Sequence, residues 1–360
     1  MKENRTPKIL ITAPSLDESV NVSGISTVVR QIVARGSFDY RHFAAGRADG
    51  ETANALWIAR QAALPLRFYR ALKAERADVA HVNTALNPLS IVRDFALVAA
   101  ARRARTPVLL HVHGGKYLAR EFDRKWLAGV AGKMLRAADA VVVLSGLERE
   151  IVARRWPGLD PEVLENAVAP EAYPRLEKKK NSLIYLGRLH ESKGLAEIAE
   201  ALGALAAENP DFTFRAFGAG PEAEVFTSAM RRALGERFYF GGVAGEATKR
   251  SELAASDIFL LPSRYGEGLP MALLEAMAAG CVAVVSEMAS IGAVVADGRN
   301  GLTIEPGNAR QLTDKLRALL ASEANRDELR ENARRTIAAN FNLRDYIERL
   351  ETLYARLAKF

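Results

Sequence analysis

The sequence predicts an α/β protein of two doubly wound domains, each a parallel sheet covered by helices. Short Val-, Ile- and Leu-rich runs alternate with helical patterns along the chain, as expected for parallel strands buried on both faces. The length of 360 residues suits about two domains. Near the middle, NAVAPEAYPRLEKKKN (166–181) combines two prolines, a charge run and little apolar periodicity, and reads as a linker.

The elements follow in order. In the first half KILITA (8–13), DVAHVN (78–83), VLLHVH (108–113) and AVVVLS (140–145) read as strands. In the second half SLIYLG (182–187), FTFRAFG (212–218), RFYFGG (237–242), DIFLLPS (257–263) and VAVVSE (282–287) read the same way. Helical patterns such as LAEIAEALGALAAE (195–208) separate them, and LRDYIERLETLYARLAKF (343–360) is an amphipathic helix. The expected domains are 1–167 and 168–342. The charge run Glu177–Lys180 reads as solvated.

Bulk composition narrows the function classes. Hydrophobic residues make up 49% and charged residues 26%, so each half can build an ordinary core. A single cysteine, Cys281, excludes an internal disulfide and any cysteine-cluster zinc site, and suits a reduced, cytoplasmic setting. No run of eighteen apolar residues is present, and the short ILITA stretch reads as a first strand, not a signal peptide. The net charge of +7 is uneven: residues 1–165 hold 25 Lys and Arg against 17 Asp and Glu, leaving 25 against 26 for the rest. A basic half suits a phosphorylated substrate or an anionic membrane surface; no nucleic-acid motif or compact Lys/Arg run accompanies it. Solubility alone is the plain alternative.

The densest chemistry follows DIFLLPS, where the chain continues RYGEGLPMALLEAMAAG. Pro270 suits the first turn of a helix and Gly280 its exit. Such a helix starts at the carboxyl end of a buried strand, where α/β sheets bind ligands, and its free amides suit a phosphate. Glu267 precedes the helix and Glu275 lies about one and a half turns in; two carboxylates there can accept hydrogen bonds from sugar hydroxyls, though either alone fits a capping or ordinary helix glutamate. After SLIYLG, Arg188 and Lys193 form a sensible pair for a pyrophosphate, though basic loop residues are commonly just surface charge. After FTFRAFG, Gly218 and Gly220 mimic a dinucleotide fingerprint in GAGPEA, but the ribose-binding acid about twenty residues on would be Glu236, poorly placed before a strand. A glycine-lined edge for a nucleobase fits as well.

Taken in order, Arg188 to Lys193, the GAGPE loop, DIFLLPS, the Glu267 and Glu275 pair separated by seven residues, LLEAMAAG and DGRNGLTIEPGN resemble the retaining GT-B glycosyltransferases of family 4, the glycosyl transferases group 1. The resemblance covers nearly all of 182–320. It implies two Rossmann-like domains facing a central cleft, with acceptor binding in 1–167, nucleotide-sugar donor binding in 168–342, and the final helix 343–360 returning to the N-terminal domain. It implies Arg188 and Lys193 on the donor diphosphate, amides around Gly268 and Leu269 assisting, Glu275 accepting from the ribose and Glu267 from the donor sugar.

The first half matches less closely. In NVSGISTVVRQIV a single glycine, Gly24, opens a helix and can present amides to the diphosphate. HVHGGKY resembles the family's strand-end histidine and places His113 beside the donor sugar as a positioning residue; a satisfied loop histidine is the plain alternative. His111 shares a face with His113, but no third ligand for a metal pair is evident. The family's Asn-Gly-Val-Asp junction reads Asn166-Ala167-Val168-Ala169 here, and Tyr265–Gly266 precedes Glu267. The segment 54–75 combines Trp57, Leu64, Phe68, Tyr69 and Leu72 with Arg60, Arg67, Arg70 and Lys73. Such a helix, kinked at Pro65, suits a membrane interface, or packs on the domain with a solvated basic face.

No D-x-D occurs, so no metal cofactor is expected, and Arg188, Lys193 and helix amides would take the cation's place. With His113 and Glu267 they form the expected catalytic set. The expected reaction moves a hexose-type sugar from a UDP- or GDP-sugar to a hydroxyl of a glycan or lipid-linked acceptor, with retention, in bacterial polysaccharide or lipopolysaccharide synthesis. Closure on a hinge near 166–170 and 340–345 would exclude water. The alternatives are a same-fold sugar-nucleotide epimerase or phosphorylase, a nicotinamide oxidoreductase using GAGPEA, and a non-catalytic binding module.

Overall fold

The structure, a computed structural model, describes residues 5–18, 21, 23–46, 55–208, 211–288 and 290–358. Asn54, Lys359 and Phe360, which fall in predicted helical segments, and Val22, just before the helix expected at Gly24, lie outside the described residues. The chain divides into two compact units, Met1–Asn166 with Arg344–Phe360, and Ala167–Leu343.

The first unit begins β1 (Lys8–Ala13), α1 (Gly24–Arg35), β2 (Asp39–Ala44), α2 (Ala55–Glu75), β3 (Val79–Thr84) and α3 (Pro88–Ala104). It continues β4 (Val108–Val112), α4 (Lys116–Ala119), α5 (Lys125–Ala137), β5 (Ala140–Val143), α6 (Gly146–Arg155) and β6 (Glu162–Val163). The second unit begins β7 (Ser182–Leu186), α7 (Leu195–Ala207), β8 (Thr213–Phe217), α8 (Ala223–Leu234), β9 (Phe238–Phe240) and α9 (Glu246–Ala255). It ends β10 (Ile258–Leu261), α10 (Met271–Ala278), β11 (Val282–Ser286), β12 (Leu302–Ile304), α11 (Ala309–Ala321) and α12 (Glu323–Asn340). Helix α13 (Leu343–Ala358) then returns to the first unit.

Each unit holds one six-stranded sheet, in the order β2-β1-β3-β4-β5-β6 and β12-β11-β10-β7-β8-β9, with every strand pair parallel. Strands β3, β4, β7, β10 and β11 are buried along their whole length, as their apolar runs require. The strand order reverses between β1 and β3 and between β7 and β10. In open α/β sheets ligands bind outside the carboxyl ends of the strands at such a reversal.

Several local expectations are refined. The edge strands β2, β6, β9 and β12 are short or polar, and only β9 falls within a predicted run, trimmed to three residues. Helix α2 continues through Pro65 as one element, and its stripe Leu64, Phe68, Leu72 is buried in the core, with the Phe68 ring 4.9 Å from that of Phe43. Those three side chains take the packed alternative, while Ile58 and Leu66 of the same helix are exposed. Lys178, read as part of a solvated run, instead donates to the carbonyls of Leu253 and Ala279 at 2.9 and 2.8 Å, and burial lowers its pKa. The two stretches that cross between units are paired: Val168 N donates to Phe341 O at 3.0 Å and Leu343 N to Val168 O at 2.8 Å.

Helix α13 is tied to the first unit by its own side chains. Glu351 accepts from Ser37 N at 2.6 Å and from the Tyr40 hydroxyl at 2.9 Å, and the Tyr354 hydroxyl lies 2.5 Å from His81 Nδ1.

Candidate functional site

In the second unit the loops leaving β7 and β10 clasp each other at the strand reversal. A 3₁₀ turn, Glu191–Lys193, ends at Gly194, which has φ +71° and whose missing Cβ would sit 1.9 Å from Pro262 O. Only glycine permits that approach. Across the clasp Arg264 N donates to Ser192 O at 2.8 Å, the Tyr265 hydroxyl to Glu191 at 2.6 Å, and the Arg264 guanidinium to buried Glu197 at 2.6 Å. These contacts bring Lys193 Nζ to 2.5 Å from Glu267 Oε1, which also accepts from the Ser263 hydroxyl. The Glu267 side chain is only 6% exposed, so the carboxylate is held in one orientation.

Arg188 stands exposed just beyond β7, and its guanidinium makes no hydrogen bond or ion pair among the described residues. Gly268 and buried Leu269 lead into α10, whose N-cap is Pro270. Early helix amides have no carbonyl one turn back and carry partial positive charge. Glu275, 2% exposed, sends Oε1 to Lys249 Nζ on α9 at 2.6 Å; Lys249 also pairs with Glu246 at 3.0 Å. Burial raises the Glu275 carboxyl above the usual glutamate range, and Lys249 draws it part of the way back. The second oxygen of Glu275 has no hydrogen-bond partner among the described residues.

Gly218 and Gly220 have a packing reason in the structure. A Cβ on Gly218 (φ +143°) would lie 1.9 Å from Gly187 O, and one on Gly220 would lie 2.1 Å from Leu189 O. The glycines let the loop after β8 press against the loop after β7, where Leu189 N donates to Ala219 O at 2.9 Å and Glu222 N to Leu189 O at 3.1 Å.

In the first unit Gly24 is the exposed first residue of α1, capped by Ser23, whose hydroxyl accepts from Ser26 N at 3.2 Å. His113 follows β4 and its Nε2 lies 2.6 Å from Asn83 Oδ1 on β3. Asn83 in turn donates Nδ2 to Thr12 O on β1 at 2.7 Å, and its backbone N to Thr12 Oγ1 at 2.9 Å. The chain Thr12–Asn83–His113 thus spans the strand reversal of the first sheet. The His113 ring lies tilted 4.0 Å from that of His111, which stacks at 5.5 Å on that of His81. Burial pushes the pKa of His113 down to about 3, and burial with neighbouring His113 does the same to His81. Both ring nitrogens of buried His111 lack a hydrogen-bond partner among the described residues, and no described group of three or more His, Cys, Asp or Glu can hold a metal ion.

The structure therefore brings Lys193 and Glu267 into contact, in the loops that carry Arg188 and lead into α10, and puts Glu275 on that helix with its own cation. His113 and Gly24 lie at the carboxyl edge of the other sheet. Thr12, Asn83, Lys249 and Ser263 went unnoticed in the sequence. Only Asn83 leaves a trace there, as a polar residue two places from His81 in a strand that must be buried.

The family model for glycosyl transferases group 1 matches residues 171–336, and that for a glycosyl transferase 4-like domain matches 23–166. An uncharacterised glycosyltransferase of Methanocaldococcus jannaschii is 26% identical over 72% of this chain and 71% of its own length. The phosphatidyl-myo-inositol mannosyltransferase of Mycolicibacterium smegmatis is 32% identical over 50% of this chain, and the match spans about half of that enzyme, 48%. The crystal structure of HepE of Anabaena with UDP-glucose superposes with a TM-score of 0.78 at 19% identity, covering 97% of this chain and 99% of HepE. Two parallel-sheet units, two family models that divide nearly the whole chain between them, and a solved neighbour of the same architecture agree: the chain belongs to the glycosyl transferases group 1, enzymes of the GT-B fold.

Proposed function

We propose that this enzyme transfers a hexose-type sugar, with retention and without a metal ion, from a UDP- or GDP-sugar to a hydroxyl of a glycan or lipid-linked acceptor. The observation that carries this reading is the Lys193–Glu267 contact at the β7/β10 reversal, between the loop that holds unpartnered Arg188 and the loop that leads into α10. Arg188, Lys193 and the amides around Gly268 and Leu269 stabilise the charge that develops on the leaving diphosphate. Glu267 accepts from a donor-sugar hydroxyl and Glu275 from the ribose. The glycine loop at Gly218 and Gly220 borders the base, Gly24 presents amides, and His113 positions a sugar hydroxyl. The acceptor hydroxyl attacks on the face the diphosphate leaves, and its proton passes to a diphosphate oxygen. Residues 1–167 would serve the acceptor and 168–342 the donor.

A cytoplasmic setting at an anionic inner-membrane surface, in polysaccharide or lipopolysaccharide synthesis, suits the charge. Helices α2, α3 and α5 carry Glu75 and Asp94 as their acids, Asp94 buried against Arg93, while Ile58, Leu66, Leu89, Val92 and Trp126 are exposed on them. No described helix is long and apolar enough to cross a membrane. The lipid-linked acceptor draws support from the name of the mycobacterial relative, and a uridine donor from the HepE complex.

Thermal unfolding with UDP, GDP, ADP and their sugars tests the donor site. A ligand at 100 times its Kd stabilises by about 2.7 kcal/mol. Incubating the stabilising sugar nucleotide with and without acceptor glycolipid then separates transfer from epimerisation or phosphorolysis. Stabilisation by NAD(P)H and by no sugar nucleotide would reject the proposal.

A further inference from the structure

We infer that Asn83 is a positioning residue that fixes which nitrogen of His113 carries the proton, so that His113 presents a bare Nδ1 to a substrate hydroxyl. The inference rests on the reading of His113 as a sugar-contacting residue, and goes beyond it by assigning the direction of that hydrogen bond.

Thr12 O is a backbone carbonyl and only accepts, so the Asn83 atom 2.7 Å from it is the amide nitrogen. The other side-chain atom of Asn83 is then its carbonyl oxygen, which also only accepts. That oxygen lies 2.6 Å from His113 Nε2, so Nε2 must carry the hydrogen. The Asn83 backbone is pinned at the same point by its bond to Thr12 Oγ1 at 2.9 Å, so the amide has no second orientation that keeps both contacts.

The ring itself is neutral. Its aromatic neighbours are His111 at 4.0 Å and, beyond it, His81; neither brings a negative charge, and burial disfavours the imidazolium. A neutral ring with its proton on Nε2 has a lone pair on Nδ1, and Nδ1 has no hydrogen-bond partner among the described residues. A half-buried lone pair is satisfied by a donor. A sugar hydroxyl supplies one; a carboxylate or a methyl ether does not. The geometry therefore favours a substrate bearing a free hydroxyl at this point over a uronic acid or an O-methylated sugar. Asn83 never touches the substrate, yet it decides that preference.

The direct test is nitrogen NMR of the full chain labelled with ¹⁵N-histidine. The five histidines are distinguished by the signal lost in His113→Gln. At neutral pH His113 should show a proton on Nε2 and a pyridine-type Nδ1. In Asn83→Leu the protonated nitrogen should redistribute between the two positions; in Asn83→Asp, where the oxygen acceptor is restored, it should stay on Nε2. Turnover of UDP-glucose or GDP-mannose, whichever the wild type uses, should fall about tenfold in Asn83→Leu, the equivalent of one neutral hydrogen bond at about 1.4 kcal/mol. Asn83→Asp should recover part of that rate. A wild-type signal with the proton on Nδ1, or on both nitrogens, overturns the inference even if Asn83→Leu does not fold. So does an Asn83→Leu protein with unchanged tautomer and rate. Because the spectrum is read without substrate, a correct tautomer in a protein that turns over no sugar nucleotide would instead count against the proposed function.

Discussion

Lys249 and Glu275 form a buried ion pair whose energetic role can be measured. Lys249→Met removes the cation and leaves Glu275, 2% exposed, without the partner that sits 2.6 Å from it. Stranding one member of such a pair costs about 3–5 kcal/mol, because the remaining charge has lost both water and its counterion. For a unit of this size each kcal/mol moves Tm by about 2–4 °C, so a fall of roughly 6–20 °C is expected. The internal control is Arg317–Glu208, whose side chains are 46% and 44% exposed and whose disruption should leave Tm almost unchanged. Calorimetry on Lys249→Met, Glu275→Gln, the double variant and Arg317→Met completes the experiment. The double variant should melt above Lys249→Met, since neutralising Glu275 removes the unpaired charge. If Lys249→Met loses no more than Arg317→Met, or if the losses of Lys249→Met and Glu275→Gln simply add, the Lys249–Glu275 pair does not stabilise the fold as a buried ion pair.

Three further outcomes are expected. His81 and His113 have folded pKa values near 3, against an ordinary 6.5, so both favour the fold only while neutral. Their contribution is complete above pH 6.5 and declines as pH falls from there towards 3, by about 1.4 kcal/mol per pH unit for each ring. Urea midpoints at a series of pH values should show the slope, shallower in His81→Asn, and equal slopes would refute it. Gly218→Ala and Gly220→Ala should sharply lower Tm, since their Cβ atoms would meet carbonyls at 1.9 and 2.1 Å, whereas Gly203→Ala, with nothing nearer than 4.0 Å in mid-α7, should gain about 0.5–1 kcal/mol; scanning calorimetry on the three decides it. Lys193→Ala should lose both turnover and nucleotide-induced stabilisation, and full activity in that variant would remove Lys193 from the mechanism.

The strands and the α10 entry were legible because they depend on local pattern. Apolar runs such as SLIYL and IFLL, short and rich in branched residues, suit buried strands, and Pro270 and Gly280 punctuate the helix that follows β10. Lys193 and Glu267 could each be placed at a strand end, but their contact depends on the order of β7 and β10, which no local pattern reveals. Lys249 was invisible for a related reason. It sits in EATKRSELAA, which reads as a solvated helix face, and its partner arrives 26 residues later. Lys178 was misread the same way, as a long side chain whose head finds carbonyls that follow by 75 and 101 residues. The glycines after β8 read as a ligand loop in the sequence, and the structure adds a second requirement for glycine there, clearance from the Gly187 and Leu189 carbonyls.

The return of α13 to the first unit bears on how the chain folds as it is made. His81 and Tyr40 lie in strands that are synthesised early, yet the Tyr354 hydroxyl and the Glu351 carboxylate that meet them arrive only after the whole second unit has been translated. During that interval the side of the first sheet carrying His81 lacks its last covering helix, while Ala167–Leu343 already possesses every residue of its own core. On the ribosome the later-coded body is thus the one able to finish first, and the earlier one waits, with part of its interior open, until α13 has been made.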